Sequence, residues 1–347
     1  MNRPDEEGLP HPRSARSGRV DRVSADLPAL EMAQLARLAG ATLDEHRQTR
    51  AMVLSFAESY QNEQYVASVW DGDALEGIAA AFVGERPDGS PLLRVWFPAI
   101  FRREGASPFF YADPADAARV TRELLEALVE HARSLRAAFV MVPYCPASDH
   151  AIAEAAAALA FRTVPAETAY VIQLEEPTSF ETYLGRLSQT RRGEFRRDLR
   201  RAAKAGARMV DEAVARPETL ALAWPLQVAL AERKGGVHLP GTTSLFDALQ
   251  RRLDPGELRA EACFVGDELA GAMVMQISGT VMNPGYMCHR PDLDWQVYMA
   301  ILASSIERAI ARGMTRIHLG FGNDYQKTRL GADALPHVGY VLSLRRP

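Results

Sequence analysis

The chain has 347 residues, 47% hydrophobic and 24% charged, with a formal net charge of −4. This is an ordinary soluble globular composition, long enough for two domains with separate cores. It excludes a general attraction to nucleic acid, so any basic effect must be local, and nothing points to DNA.

The first 26 residues are rich in Pro, Arg, Ser and Gly and hold no apolar core of a signal peptide. They read as a disordered tail. No apolar run approaches the ~18 residues that span a bilayer. Cys145, Cys263 and Cys288 are scattered and include no C-x-x-C pair. Neither a zinc site nor a disulfide framework is supported, no metal is expected, and a reducing cytoplasm fits best.

Val69 to Val83, "VWDGDALEGIAAAFV", and Cys263 to Ile277, "CFVGDELAGAMVMQI", share Gly-Asp-x-Leu-x-Gly. Each reads as a hairpin turned at Gly-Asp. Gly77 and Gly271, inside the second strands, suggest a bulge or a splayed strand. The first hairpin is followed by a strand, then a helix over about 115–136 with Asp113 or its neighbour as cap and Pro114 in its first turn, then the strand Ala137 to Pro143. The second is followed by the strand-like "TVMNPGYMCH", then a helix over about 293–312 with a Tyr298, Leu302, Ile306, Ile310 stripe stopping at Gly313, then the strand "TRIHLGF". Both halves read β-turn-β-β-α-β. This predicts an α/β protein of mixed sheets flanked by helices, not a doubly wound sheet. The expected division is 27–175 and 176–347, with the active site in the second part. The strand "TAYVIQL", Thr168 to Leu174, is left open between the halves.

Ser188 to Arg208 predicts a basic helix with Thr190 as its cap. Arg192, Arg196 and Arg200 line one side of it at i,i+4, where like charges repel by a few tenths of a kcal/mol per pair. An anionic partner offsets that cost, and guanidinium binds phosphate in a bidentate way. These three arginines are the candidate donor- and phosphate-binding residues. A solvated helix face explains the same pattern. Phe195 alone supplies an aromatic within the run, which makes the case for RNA thin.

After "TRIHLGF" comes "GNDYQKTRLG", Gly322 to Gly331. It is expected to be a glycine-flexed loop, with no helix starting there. Lys327 can give a point-charge donor to an oxyanion or phosphate, Tyr325 can hydrogen-bond or protonate a leaving group, and Asp324 can orient the lysine or act as a base. Glu261 on a strand, and His289 and His318 at strand ends, are weaker candidate bases. Cys145 and Cys288 lack companion residues for nucleophilic work.

The basic R-x-x-x-R-R helix at Arg192 to Arg197, the following hairpin, the long helix ending A-x-x-x-G at Ala309 to Gly313, and G-x-x-Y-x-K-x-x-x-G at Gly322 to Gly331 resemble one family. It is the GNAT superfamily of acyltransferases, in forms with two tandem GNAT-like domains, the FemAB-like and CelD-like acetyltransferase groups. The resemblance is clearest from about Phe180 to Ala332. It implies N-acyl transfer to a small-molecule amine from acyl-CoA or a related activated donor. In the FemAB branch the donor is aminoacyl-tRNA, and a lysine placed like Lys327 assists electrostatically. tRNA is therefore the alternative partner, and a non-catalytic protein that kept the fold is the third reading. One departure stands out: the GNAT pyrophosphate loop, [QR]-x-x-G-x-[GA], has no counterpart in Met287 to Tyr298.

Overall fold

A computed structural model describes residues 16–22, 48, 51–52, 54–55, 58–59, 63–85, 89–95, 108–175, 179–212, 216–233, 242–290, 292–293 and 297–344. The first half contains β1 (Arg16–Arg22), β2 (Gln64–Asp71), β3 (Ala74–Glu85), β4 (Pro91–Val95), β5 (Phe109–Tyr111), α1 (Ala117–Ser134), β6 (Phe139–Pro146), α2 (His150–Ala158), β7 (Arg162–Pro165) and β8 (Ala169–Gln173). There follow α3 (Phe180–Arg186), α4 (Gln189–Lys204), β9 (Ala207–Glu212), α5 (Pro217–Arg233), α6 (Thr242–Gln250), β10 (Leu258–Val265), β11 (Glu268–Ser278), β12 (Val281–His289), α7 (Val297–Ala311), β13 (Arg316–Phe321), α8 (Asp324–Arg329), β14 (Asp333–Leu335) and β15 (His337–Ser343). The strands form two mixed sheets, β1-β2-β3-β4-β6-β15-β7 with β5 on β3, and β14-β8-β13-β12-β11-β10-β9.

The two Gly-Asp hairpins are built alike. Gly72 and Gly266 both take left-handed φ, 58° and 60°, as a two-residue turn needs. In both hairpins the register slips at one place. Val69 faces Gly77 but Trp70 faces Leu75, and Cys263 faces Gly271 but Phe264 faces Leu269. The extra residue is Glu76 in one and Ala270 in the other. Their carbonyls accept from Ala112 N and Arg290 N, each at 2.8 Å. Each following glycine lies under its crossover helix. A Cβ on Gly77 would stand 2.3 Å from Val120 Cγ1, and one on Gly271 2.7 Å from Val297 Cγ1. Only glycine lets the helix approach so closely.

Two strands exchange sheets. β8, the open "TAYVIQL" segment, pairs antiparallel with β13 and β14. β15 pairs antiparallel with β6 and β7. Each half thus lends its last strand to the other sheet, across the expected division at 175. The sheets also meet through side chains at the ends of β6 and β13, where Tyr144 packs on Phe321 with centroids 4.5 Å apart.

Three local expectations change. Residues 16–22 of the expected tail form an edge strand, paired with β2 along its length. Arg19 lies 5.1 Å over the Trp70 ring, and α1 covers Gly18. The remaining tail positions lie outside the described residues. The basic helix is capped by Ser188, whose hydroxyl accepts from Arg191 N, so Thr190 falls inside the helix. Gly322 to Arg329 is no loop, because α8 starts at Asp324.

Candidate active site

β12 and β13 run parallel but pair at only two positions, Val281 with Arg316 and Met282 with Ile317, and then part. Past the last pair, β12 bulges. Val274 faces Tyr286 and Met275 faces Pro284, which leaves Gly285 with no partner on β11. Proline has no N–H to give the ladder, and a bulge is where a sheet tolerates it. The Pro-Gly pair inside an apolar strand was the sequence signal for this break.

At the far end of β13 the chain reverses through three left-handed residues, Gly320, Gly322 and Asn323 (φ 75°, 70° and 55°). The reversal lays α8 back against the strand. Lys327 then points inward and is 3% exposed. Its Nζ donates to Gly320 O at 2.5 Å and Phe321 O at 2.9 Å, and lies 5.6 Å from the centre of the Tyr170 ring. The Tyr183 hydroxyl of α3 donates to Leu330 O and holds the end of α8. The Tyr170 hydroxyl hydrogen-bonds Asp324; burial first, then the Asp324 charge, pushes its pKa above the ordinary tyrosine value. Tyr325 stands 68% exposed, with the Arg329 guanidinium 5.6 Å from its ring centre. Asp324, Tyr325 and Lys327 share one short helix yet face three different environments.

Arg329 joins α8 to the basic helix, pairing with Glu194 at 2.9 Å and Asp198 at 3.2 Å. Phe195 and Ala202 bury the inner face of α4. At roughly 100° per residue, Arg192, Arg196 and Arg200 lie on the side of α4 away from Glu194 and Asp198. They are not gathered around Lys327. Arg192 is half-buried, Arg200 is exposed, and Arg196 is exposed and pairs with Glu181 at 2.5 Å.

The weaker candidates separate. Glu261 is 1% exposed and faces α7, accepting from Ser304 Oγ at 2.6 Å and pairing with Arg308 at 3.2 Å. Burial pushes its carboxyl above the ordinary range. Across β9, Asp211 takes Arg259, Arg308 and Arg312. This network ties α7 to the β9–β10 edge, two strands from the parting of β12 and β13. His289 Nδ1 lies 3.2 Å from Arg290 O. The thiols are buried; burial raises Cys263 and Cys288 to about 12 and Cys145 further, so none is a thiolate nucleophile near neutral pH.

One group of residues was not brought together by sequence reasoning. Gln276 faces Asn283 across β11 and β12. Asn283 and His318 each follow the last β12–β13 pair. Met282, Ile277 and Ile317 belong to the core on the other face, so Gln276, Asn283 and His318 form a row on the α5 face. All three are buried, at 6%, 4% and 7% exposure. Gln276 Nε2 donates to Gln48 Oε1 at 3.0 Å, and Gln48 Nε2 donates to Glu257 at 2.7 Å. Asn283 Oδ1 and Gln227 Oε1 of α5 find no partner among the described residues. Three polar residues on three different strands leave no one-dimensional pattern, so only the register exposes them.

Residues 189–328 match a family model described as an acetyltransferase (GNAT) domain. No curated protein matches the sequence. Among solved structures, FemX superposes with a TM-score of 0.59 at 11% identity, covering 90% of this chain and 95% of that one. A tandem GNAT protein from the clavulanic acid biosynthesis pathway gives 0.56 at 14%, covering 95% and 100%. The C-terminal domain of a putative lysylphosphatidylglycerol synthetase from Agrobacterium fabrum gives 0.54 at 12%, covering 76% and 80%. These similarities show the tandem GNAT-like fold, and the departure at Met287 to Tyr298 lies within the matched domain. Residues 189–328 thus match a GNAT acetyltransferase domain, and the chain as a whole has a tandem GNAT-like fold.

Proposed function

We propose that the chain transfers an acyl group from an acyl-CoA thioester to a primary amine, in the opening between β12 and β13. The observation that carries this reading is the parting of these strands after Met282 and Ile317, inside the matched domain. A flat acyl thioester can enter between strands only where the ladder is broken. The amine lone pair attacks the acyl carbon, a C–N bond forms, and the C–S bond breaks. Coenzyme A leaves as the thiolate, and the nitrogen loses the proton that the thiolate finally takes up. Negative charge grows on the acyl oxygen in between. A fixed donor there contributes roughly 2.7–4 kcal/mol. The backbone N–H of Gly285, unpaired on β11, is one such donor in this reading. Lys327 supplies fixed positive charge at the β13 end, from a buried position where it costs no reorganisation. Asp324 orients that end through Tyr170. Tyr325 stands at the rim, open to the incoming donor or acceptor. The chain works in the cytoplasm in this reading, where its three buried cysteines stay reduced.

A second reading, with aminoacyl-tRNA as donor, is favoured by one observation. Both acids of the basic run, Glu194 and Asp198, are taken inward by Arg329. Arg197, Arg200, Arg201 and Lys204 are left exposed on the outer face of α4, joined by Arg192 and Arg196 on its flank. A thermal-shift screen with acyl-CoAs and charged tRNA separates the two. A ligand at ~100 times its dissociation constant adds ~2.7 kcal/mol. Stabilisation and thiol release with an acyl-CoA support the first reading. Stabilisation by tRNA alone, weakening steeply with salt, supports the second.

A further inference from the structure

The polar row on the α5 face includes a side-chain amide oxygen, Asn283 Oδ1, that no described residue bonds. A buried amide oxygen without a partner costs stability, and native proteins keep few such groups. Asn283 is 4% exposed, and its side-chain oxygen bonds no described residue. It sits one residue past the last β12–β13 pair and one before the β12 bulge. Both neighbours in the row, Gln276 and His318, are polar and buried as well. Gln276 is held from the side by Gln48, which fixes the wall on the β11 side. α5 packs over β11 and β12 on this face and carries the second orphaned amide oxygen, that of Gln227. Leu220 and Ala223 of the same helix seal the apolar part of the face.

We propose that this row is the floor of the acceptor pocket, and that the Asn283 carbonyl oxygen holds an N–H of the acceptor amine beside the donor's acyl carbon. The assignment rests on the acyl-transfer reading and adds where the amine sits and what holds it. The chemistry explains why an amide stands there. The row contains two amides and an imidazole but no carboxylate. A carboxylate at Asn283 would pair with an ammonium and hold it protonated, with no lone pair to attack. An amide oxygen orients an N–H with a weaker pull on its proton. It also rejects a molecule that offers only acceptor atoms, because the two oxygens would then face each other.

The test uses the full chain, n-butylamine as acceptor probe and acetyl-CoA as donor. Amine binding is followed by ligand-observed NMR and transfer by thiol release. Asn283→Leu, with Asn283→Ser as a smaller second variant, is expected to weaken n-butylamine roughly ten- to hundredfold. The KM for acetyl-CoA stays within about twofold, and the melting temperature stays level or rises, since the Asn283 oxygen bonds no described residue. Asn283→Asp is expected to bind the amine more tightly and transfer more slowly, with the pH optimum moved upward. A purely structural asparagine would not give that combination. Unchanged amine binding in both the Leu and Ser variants overturns the assignment. So does a melting temperature lowered by more than roughly 3 °C in both, or no binding of n-butylamine to the unaltered chain. Amine binding that is lost in these variants while acetyl-CoA is never consumed leaves the pocket standing and refutes the acyl-CoA donor instead.

Discussion

Replacing Lys327 by methionine keeps the shape of the side chain and removes its charge and donors. Two carbonyls at the end of β13, those of Gly320 and Phe321, then lose an ammonium now 2.5 and 2.9 Å away. A hydrogen bond to a charged group contributes roughly 1.5–3 kcal/mol, so two give about 3–6 kcal/mol. The Tyr170 ring adds on the order of 1–2 kcal/mol as a cation–π contact. Against this stands the desolvation of a lysine that is 3% exposed, several kcal/mol after relaxation. The expected net loss is about 3 kcal/mol. At roughly 2–4 °C per kcal/mol, the melting temperature falls by about 6–12 °C. Urea denaturation monitored by tryptophan fluorescence measures the loss. Thiol release from acetyl-CoA, run at a temperature where the variant is folded, measures transfer, which is expected to drop at least tenfold. A variant within about 0.5 kcal/mol of the parent would refute the reasoning, because the two carbonyls would then not depend on this ammonium.

Three further outcomes are expected. Gly271→Ala places a Cβ 2.7 Å from Val297 Cγ1 and 2.8 Å from Cys288 O, and should cost about 1–3 kcal/mol by overpacking under α7; the same loss in Gly77→Ala would show that both crossover helices depend on the contact. Burial raises the Glu261 carboxyl in the folded state, so its stability contribution is present below the unfolded pKa and lost as pH rises through the folded one; the stability of Glu261→Gln relative to the parent should therefore improve from acid toward neutral pH, and a flat difference in calorimetry would contradict the burial argument. With Cys263 and Cys288 raised to about 12 and Cys145 buried, a disulfide reagent should label no thiol of the native chain at pH 8 and all three after denaturation.

The repeated Gly-Asp-x-Leu-x-Gly made the duplication legible, because a two-residue turn and a close helix approach both demand glycine at set places. The helix ending at Gly313 was legible from periodicity and its stop; α7 ends at Ala311. The exchange of β8 and β15 was not, since strand pairing between distant segments leaves no local trace. α8 was hidden for a different reason. Its entry uses the backbone of Asn323 in a left-handed conformation, with no side-chain cap hydrogen bond to announce it. That helix decides the fate of the Tyr-x-Lys motif. It turns Lys327 inward and Tyr325 outward, whereas a loop reading gives both the same freedom. The row Gln276, Asn283 and His318 lay in plain view as residues. Only the pairing of three strands makes them neighbours.

Hydrogen exchange on the full chain with and without saturating acetyl-CoA tests the location of the chemistry most directly. Protection concentrated on 283–289 of β12 and 318–321 of β13 is expected, with 92–95 of β4 and 141–146 of β6 unchanged. Protection of the first-sheet strands instead, or of neither pair, would contradict an acyl-CoA site between β12 and β13.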